Sequence, residues 1–156
     1  MILPPKLDDI DRRILRILQQ YGDISMVELG EQVGLSHTPC WRRVKRLQDT
    51  GVIKQRVALL DPELLNLSVS VFAAISIKRH DEASLARFEK AVQNIDEIVE
   101  CHTVSGDRDF LLRVVVGTVA DYEQLLKRKL TQLPGVESVS STFALKQAKY
   151  TTRLPI

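Results

Sequence analysis

The sequence predicts an α+β chain: an N-terminal winged helix-turn-helix domain followed by a C-terminal ferredoxin-like βαββαβ domain. Three observations carry this. Apolar residues recur at helical spacing in three short glycine-punctuated segments between residues 8 and 51. From residue 68 onward, alternating and helical segments follow one another in the order βαββαβ. Residues 36–56 concentrate six cations (Arg42, Arg43, Lys45, Arg46, Lys54, Arg56) against one acid, Asp49, in a chain of net charge only +2.

The first segment, residues 8–21, places Ile10, Ile14, Ile17, Leu18 and Tyr21 on one face. Asp8 or Asp9 can cap it, and Gly22 stops it. Ser25 and Glu28 form a capping box, in which each side chain bonds the other residue's amide, and open a short helix with Leu29 and Val33 inward. Gly34 closes that helix, since glycine tolerates the left-handed turn there. Ser36 caps a third helix, where Pro39 is tolerated in the first turn because an amide proton there would be unpaired. Cys40, Val44 and Leu47 face inward, Thr38, Arg42, Lys45 and Asp49 outward, and Trp41 is expected to pack. Residues 52–60 read as a wing or linker strand ended by Asp61-Pro62.

In the second half, residues 68–78 alternate, with Val69, Val71, Ala73, Ile75 and Ile77 on one face. A helix over 82–95 carries Leu85, Phe88, Val92 and Ile95. Strands over 98–104 and 109–116 flank the turn-rich Ser105-Gly-Asp-Arg connection. Thr118 caps a helix over 119–133, with Tyr122, Leu125, Leu126, Lys129, Leu130 and Leu133 along one stripe and Pro134-Gly135 as its stop. Residues 136–145 alternate again, with Val139, Ser141, Phe143 and Leu145 together. Two helices cover one sheet face; the other, to which Phe72, Ala74 and Leu112 are assigned, is expected to be buried by a second copy.

Composition narrows the functional classes. The 156 residues are 44% hydrophobic and 27% charged, which suits a globular chain rather than a disordered one. No apolar run approaches the ~18 residues of a membrane span, and MILPPKLDDIDRR lacks a leader pattern. Two distant cysteines, Cys40 and Cys101, fit a reducing compartment and a cytoplasmic protein. His37, His80 and His102 stand far apart and match no metal-site spacing; His102 reads as structural. No phosphate-binding Gly-Lys loop or nucleophile elbow is present.

Two constellations remain. The cationic third helix is an electrostatic footprint for a polyanion, and in a helix-turn-helix its first turns enter the DNA major groove. Thr38, Arg42 and Lys45 would face base edges or phosphates; a charged protein-binding face is the alternative. The second constellation is Ser105, Gly106, Asp107, Arg108 and Asp109, where loop amides can hold a carboxylate and an aspartate an ammonium. Residue types alone fit a plain polar hairpin loop better.

LDDIDRRILRILQQYGDISMVELGEQVGLSHTPCWRRVKRLQDTGVIKQRVALLDPELLNL (7–67), ECHTVSGDRDFLLRVVV (100–116) and LKQAKYTTRLPI (145–156) resemble the Lrp/AsnC family of transcription regulators over essentially the whole chain. The resemblance implies a sequence-specific, non-enzymatic DNA-binding regulator, without a cofactor or metal. It further implies a homodimer that assembles further, often to an octamer, and answers a small amino acid bound between subunits. Ser36, His37, Thr38, Arg42, Arg43, Lys45 and Arg46 are then the DNA-binding candidates, and Ser105, Gly106, Asp107, Arg108 and Asp109 the effector-binding ones. Val104, Phe110 and Leu111 favour an apolar or medium-sized effector side chain. The implied division is 1–51 for the helix-turn-helix, 52–66 for the wing or linker, and 67–156 for effector binding and oligomerisation. Gly30 stands where the family usually has alanine, which loosens the second helix by up to about 1 kcal/mol. A siroheme-decarboxylase-like enzyme with a vestigial helix-turn-helix is the alternative, disfavoured by the full basic face of the third helix.

Overall fold

Three helices pack around one apolar cluster in the N-terminal part of the chain, in a computed structural model that describes residues 5–156. The first four residues, where the reading of the N-terminus begins, lie outside that range. Helix α1 spans Asp9–Gln20, α2 Met26–Val33 and α3 His37–Asp49. Asp8 and Asp11 form a capping box at α1, and Ser25 and Glu28 form the expected one at α2. Gly34 ends α2 at φ 75°, the left-handed conformation expected of it. Ile14, Leu15, Leu29, Val33, Cys40, Val44 and Leu47 make the buried cluster.

The turn between α2 and α3 is tighter than the sequence suggests. Leu35 N donates to Gly30 O at 2.8 Å. A Cβ on Gly30 would meet Leu35 O at 2.6 Å and Cys40 Cβ at 3.7 Å. Glycine is therefore what lets the turn close against α2. Gly30→Ala is expected to lower stability by about 1–3 kcal/mol through overpacking, against the gain of up to about 1 kcal/mol that helix propensity alone implies. A thermal-denaturation midpoint at or above that of the unsubstituted chain would refute the close approach.

Residues 54–60 form no strand. The wing or linker strand expected over 52–60 needs a partner for its backbone groups, and no segment among the described residues pairs with it. Val57, Leu59 and Leu60 are exposed there.

The second unit is a four-stranded antiparallel sheet with two helices. Strand β1 is Val69–Ile77, α4 Glu82–Val92, β2 Ile98–Thr103, β3 Phe110–Val116, α5 Val119–Arg128 and β4 Val136–Phe143. The spatial order is β2-β3-β1-β4, as the βαββαβ pattern requires. Val71, Ala73, Ile75 and Ile77 of β1 share the buried core with Phe110, Leu112, Val114, Phe88, Val92, Tyr122, Leu125 and Leu130.

Four expectations are corrected here. Leu112 pairs with Ala73 and is fully buried, so it belongs to the helix-covered face; the opposite face carries Phe72, Ala74, Leu111, Arg113 and Val115. Phe110 is likewise in the core, so it cannot contact a ligand at the loop mouth. The single helix over 119–133 is broken at Lys129, whose side chain turns to Glu97 at 2.8 Å, and a 3-10 turn, Leu130–Gln132, follows. In that turn Thr131 Oγ1 donates to Lys127 O at 3.1 Å, and Leu130 reaches the core. Leu145 lies beyond β4 and is exposed.

By contact density the chain divides into Met1–Leu59 with Lys149–Ile156, and Leu60–Ala148. The final segment, expected with the effector domain, thus groups with the helical unit. Its anchors are specific: Leu154 N donates to Gln19 Oε1 at 2.5 Å, Gln19 Nε2 returns a bond to Leu154 O, and Arg16 Nε donates to Ile156 O at 2.6 Å. Ile156 packs against the helical core. A sequence pattern cannot reveal such a contact, because its partners lie over 130 positions apart.

Candidate nucleic-acid and effector sites

Burial of Cys40, Val44 and Leu47 fixes which side of α3 is presented outward. Burial also pushes the Cys40 thiol up, so it serves as a small apolar side chain. Thr38, Arg42 and Lys45 lie on the exposed side with His37 at its start. Arg42 has no hydrogen-bond or ion-pair partner among the described residues, whereas Lys45 Nζ meets Asp49 Oδ1 at 2.8 Å one turn on. Such an exposed pair contributes about 0.3–0.5 kcal/mol and is easily exchanged for another anion. Ser36 has the extended backbone of an N-cap but makes no side-chain cap bond, and its hydroxyl bonds no partner among the described residues. Trp41, expected to pack, is half exposed, because it sits one residue off the buried Cys40 stripe.

Arg43 and Arg46 are placed differently. Arg43 Nη1 donates to Asp8 Oδ2 at 2.6 Å and to Asp11 Oδ1 at 2.8 Å. Arg46 Nη2 bonds the other oxygen of Asp11. The Asp11 side chain is 1% exposed and also accepts from the Asp8 amide. The Asp11 amide, and after it the Arg43 guanidinium, hold the Asp8 carboxyl below its ordinary range. Sequence reasoning assigned Asp11 nothing. Its position beside Asp8 at a helix start signals a capping box, but its two arginine partners are 32 and 35 residues away.

The loop between β2 and β3 is built around Gly106, whose φ of 125° is open to glycine and strained for other residues. Asp109 stitches its far side to β1. Its amide donates to Ile75 O at 2.9 Å, and its carboxylate accepts from Ile77 N at 2.8 Å. The second carboxylate oxygen lies 2.9 Å from His80 Nε2. Asp107 by contrast is 95% exposed, and among the described residues its one charged neighbour is Arg108, at 3.9 Å. The Arg108 guanidinium crosses to the open sheet face and donates to Ser76 Oγ at 3.1 Å and Ser138 Oγ at 3.0 Å. Among the described residues, the amides of Ser105, Gly106, Asp107 and Arg108 donate to no protein acceptor.

Farther along the open face, Glu100 accepts from Arg113 Nε at 2.7 Å and sits 3.2 Å from His102 Nε2. His102 first, and Arg113 after it, hold the Glu100 carboxyl below its usual range. His102 therefore has a hydrogen-bonding partner on its own strand. Among the described residues no group of three or more His, Cys, Asp or Glu side chains is arranged to hold a metal. No helix among them is long and apolar enough to cross a membrane.

Two family models match the chain. A winged helix-turn-helix DNA-binding model covers residues 7–54, and an Lrp/AsnC ligand-binding-domain model covers 70–154. Among curated relatives, the DNA-binding transcriptional activator DecR of Escherichia coli (strain K12) is 41% identical over 150 residues, covering 96% of this chain and 99% of that protein. The leucine-responsive regulatory protein of the same strain is 45% identical, covering 96% and 92%. Among solved structures, an AsnC family transcriptional regulator from Agrobacterium tumefaciens superposes with TM-score 0.91 at 46% identity, covering 96% of this chain and 97% of that one. A transcriptional regulator of Neisseria meningitidis, solved as its L-Met complex, gives TM-score 0.91 at 37% identity with the same coverage. These relatives are regulators rather than enzymes, and the decarboxylase alternative finds no support among them. With one match on each unit and relatives aligned over nearly its whole length, the chain belongs to the Lrp/AsnC family of transcription regulators.

Proposed function

We propose that this chain is a cytoplasmic, homodimeric DNA-binding regulator whose assembly or DNA affinity answers a small amino acid held at the Ser105–Asp109 loop. The observation that carries the reading is the pairing of an outward cationic helix with a loop whose four amides are unspent. On α3, Thr38 and Arg42 face the base edges, with Lys45, His37 and the Ser36 hydroxyl on or near phosphate. Arg43 and Arg46 border this face with their guanidinium groups turned to Asp11. At the loop, the amides of residues 105–108 take the effector's carboxylate and Asp107 its ammonium, with Asp109 fixing the loop's shape. Leu111 and Val104, both half-buried, suit an apolar effector side chain.

The dimer reading rests on the open sheet face. Phe72 is 39% exposed there beside Ala74, Leu111 and Val115, and a second copy of the same face would cover this apolar surface. Further assembly, to an octamer, would use other surfaces. Two experiments test the assembly and effector parts of this reading. Light scattering at micromolar concentration is expected to give two or more chains per particle, and a 17.7 kDa particle would refute the dimer. A thermal-shift screen of the twenty amino acids is expected to find at least one that stabilises the protein, by about 2.7 kcal/mol at 100 times its dissociation constant. If none of the twenty moves the midpoint, the amino-acid reading fails.

A further inference from the structure

Six cations crowd residues 36–56, yet they are not equally available. Lys45 faces Asp49 in an exposed pair, and Arg42, Lys54 and Arg56 have no carboxylate partner among the described residues. Arg43 and Arg46 face the carboxylates of Asp8 and Asp11 at the start of α1. Those four residues together carry no net charge. The centre of the cluster is Asp11, whose two oxygens are divided between the two arginines.

We propose that Asp11 is a specificity-determining positioning residue, whose buried carboxylate withholds Arg43 and Arg46 from the DNA backbone and leaves Arg42 as the foremost reading cation of α3. The inference rests on the DNA-binding reading of that helix. Its physical ground is an asymmetry of environments. A carboxylate at a site this buried is costly to leave unpaired, whereas a phosphate on the outside of a duplex already has counterions. An arginine that left Asp11 for a phosphate would exchange a desolvated partner for a hydrated one. The arginines therefore stay, and two charges are subtracted from the sequence-independent attraction. Each phosphate contact adds about 0.9 to the steepness with which affinity falls with salt, and that attraction is the same for every sequence. Subtracting two such contacts lowers binding to arbitrary DNA more than binding to a site read by base contacts. The same bonds tie residues 43 and 46 of α3 to the first turn of α1, so the orientation of the reading helix is set before DNA arrives.

The test is the salt dependence of binding to a mixed-sequence duplex, measured by fluorescence anisotropy on the full-length protein. Asp11→Asn keeps the size and an acceptor for the Asp8 amide but removes the charge. Its binding to this duplex is expected to tighten at low salt and its log–log salt slope to steepen by about one, for the phosphate gained by Arg46 while Asp8 still holds Arg43. A loss of packing alone would reduce binding without steepening the slope. A folded Asp11→Asn protein with the original slope overturns the proposal. Arg46→Gln keeps Arg43 on Asp11 and decides the matter even if Asp11→Asn does not fold. Its slope is expected to match that of the unsubstituted protein, while Arg42→Gln lowers it by about one if Arg42 meets phosphate in non-specific binding. An Arg46→Gln slope lowered by about one places Arg46 on phosphate and overturns the proposal. An unsubstituted protein that binds no duplex at low salt overturns the DNA reading of α3, and this inference with it.

Discussion

Arg42→Ala is expected to weaken binding to a preferred DNA site about 5- to 150-fold, the equivalent of about 1–3 kcal/mol, and to relax sequence preference at one base position. The expectation follows from what the guanidinium does in the absence of DNA. It is exposed, it projects away from Cys40, Val44 and Leu47, and it bonds no other described side chain. No internal interaction is lost on truncation, so the thermal midpoint should stay close to that of the unsubstituted protein. A planar guanidinium with free donors matches the O6 and N7 acceptors of guanine, so its removal costs most where guanine is preferred. Lys45→Ala should behave differently. It gives up an exposed pair with Asp49 and one phosphate contact, so it should weaken all sequences alike and flatten the salt slope by about one. The measurement is a titration series on a site selected from a random duplex pool and on its single-base variants. Unchanged affinity in both variants would mean that α3 does not dock through this face.

The parts of this molecule that were legible in its sequence are those whose determinants lie within a few residues of one another. The Ser25–Glu28 capping box, the Thr118 cap, the Gly34 stop and the inward trio of α3 all follow from spacing, and each forms. The βαββαβ order follows from the change of apolar period along the chain, which needs no tertiary information. Features that escaped depend on pairing across the chain. The face on which Leu112 lies is set by its register opposite Ala73, and a slip of one residue in that alternation exchanges the faces. Lys129 occupies a stripe position in the helical pattern, but Glu97 captures it and the helix ends there. Arg43 and Arg46 look like two more members of a basic face until Asp11 is placed beneath them. In both sites charge was easy to count in the sequence, while the partner of each charge was not.

That distinction shapes what is expected at the effector loop. Asp107 and Asp109 are one residue apart and chemically identical, but they are not equivalent in the fold. Asp109 spends its carboxylate on the Ile77 amide and on His80, so it holds the loop against the end of β1. Asp107 is almost fully exposed and has only a distant approach to its own neighbour. A charge-assisted bond between an ammonium and Asp107 would contribute about 1.5–3 kcal/mol, so Asp107→Ala is expected to weaken amino-acid binding roughly 10- to 150-fold while leaving the thermal midpoint of the ligand-free protein unchanged. Asp109→Ala should weaken binding as well, but by loosening the loop, and should therefore also lower the ligand-free midpoint. Binding to DNA without effector should survive in both, because neither residue belongs to the helical unit that carries α3. Calorimetry with the amino acid found in the thermal-shift screen separates the cases. Unchanged affinity in both variants would leave residues 105–109 as a hairpin connection and move the effector elsewhere. Loss in Asp109→Ala alone would mean that the ammonium is held by another group, with the loop amides still available to the carboxylate.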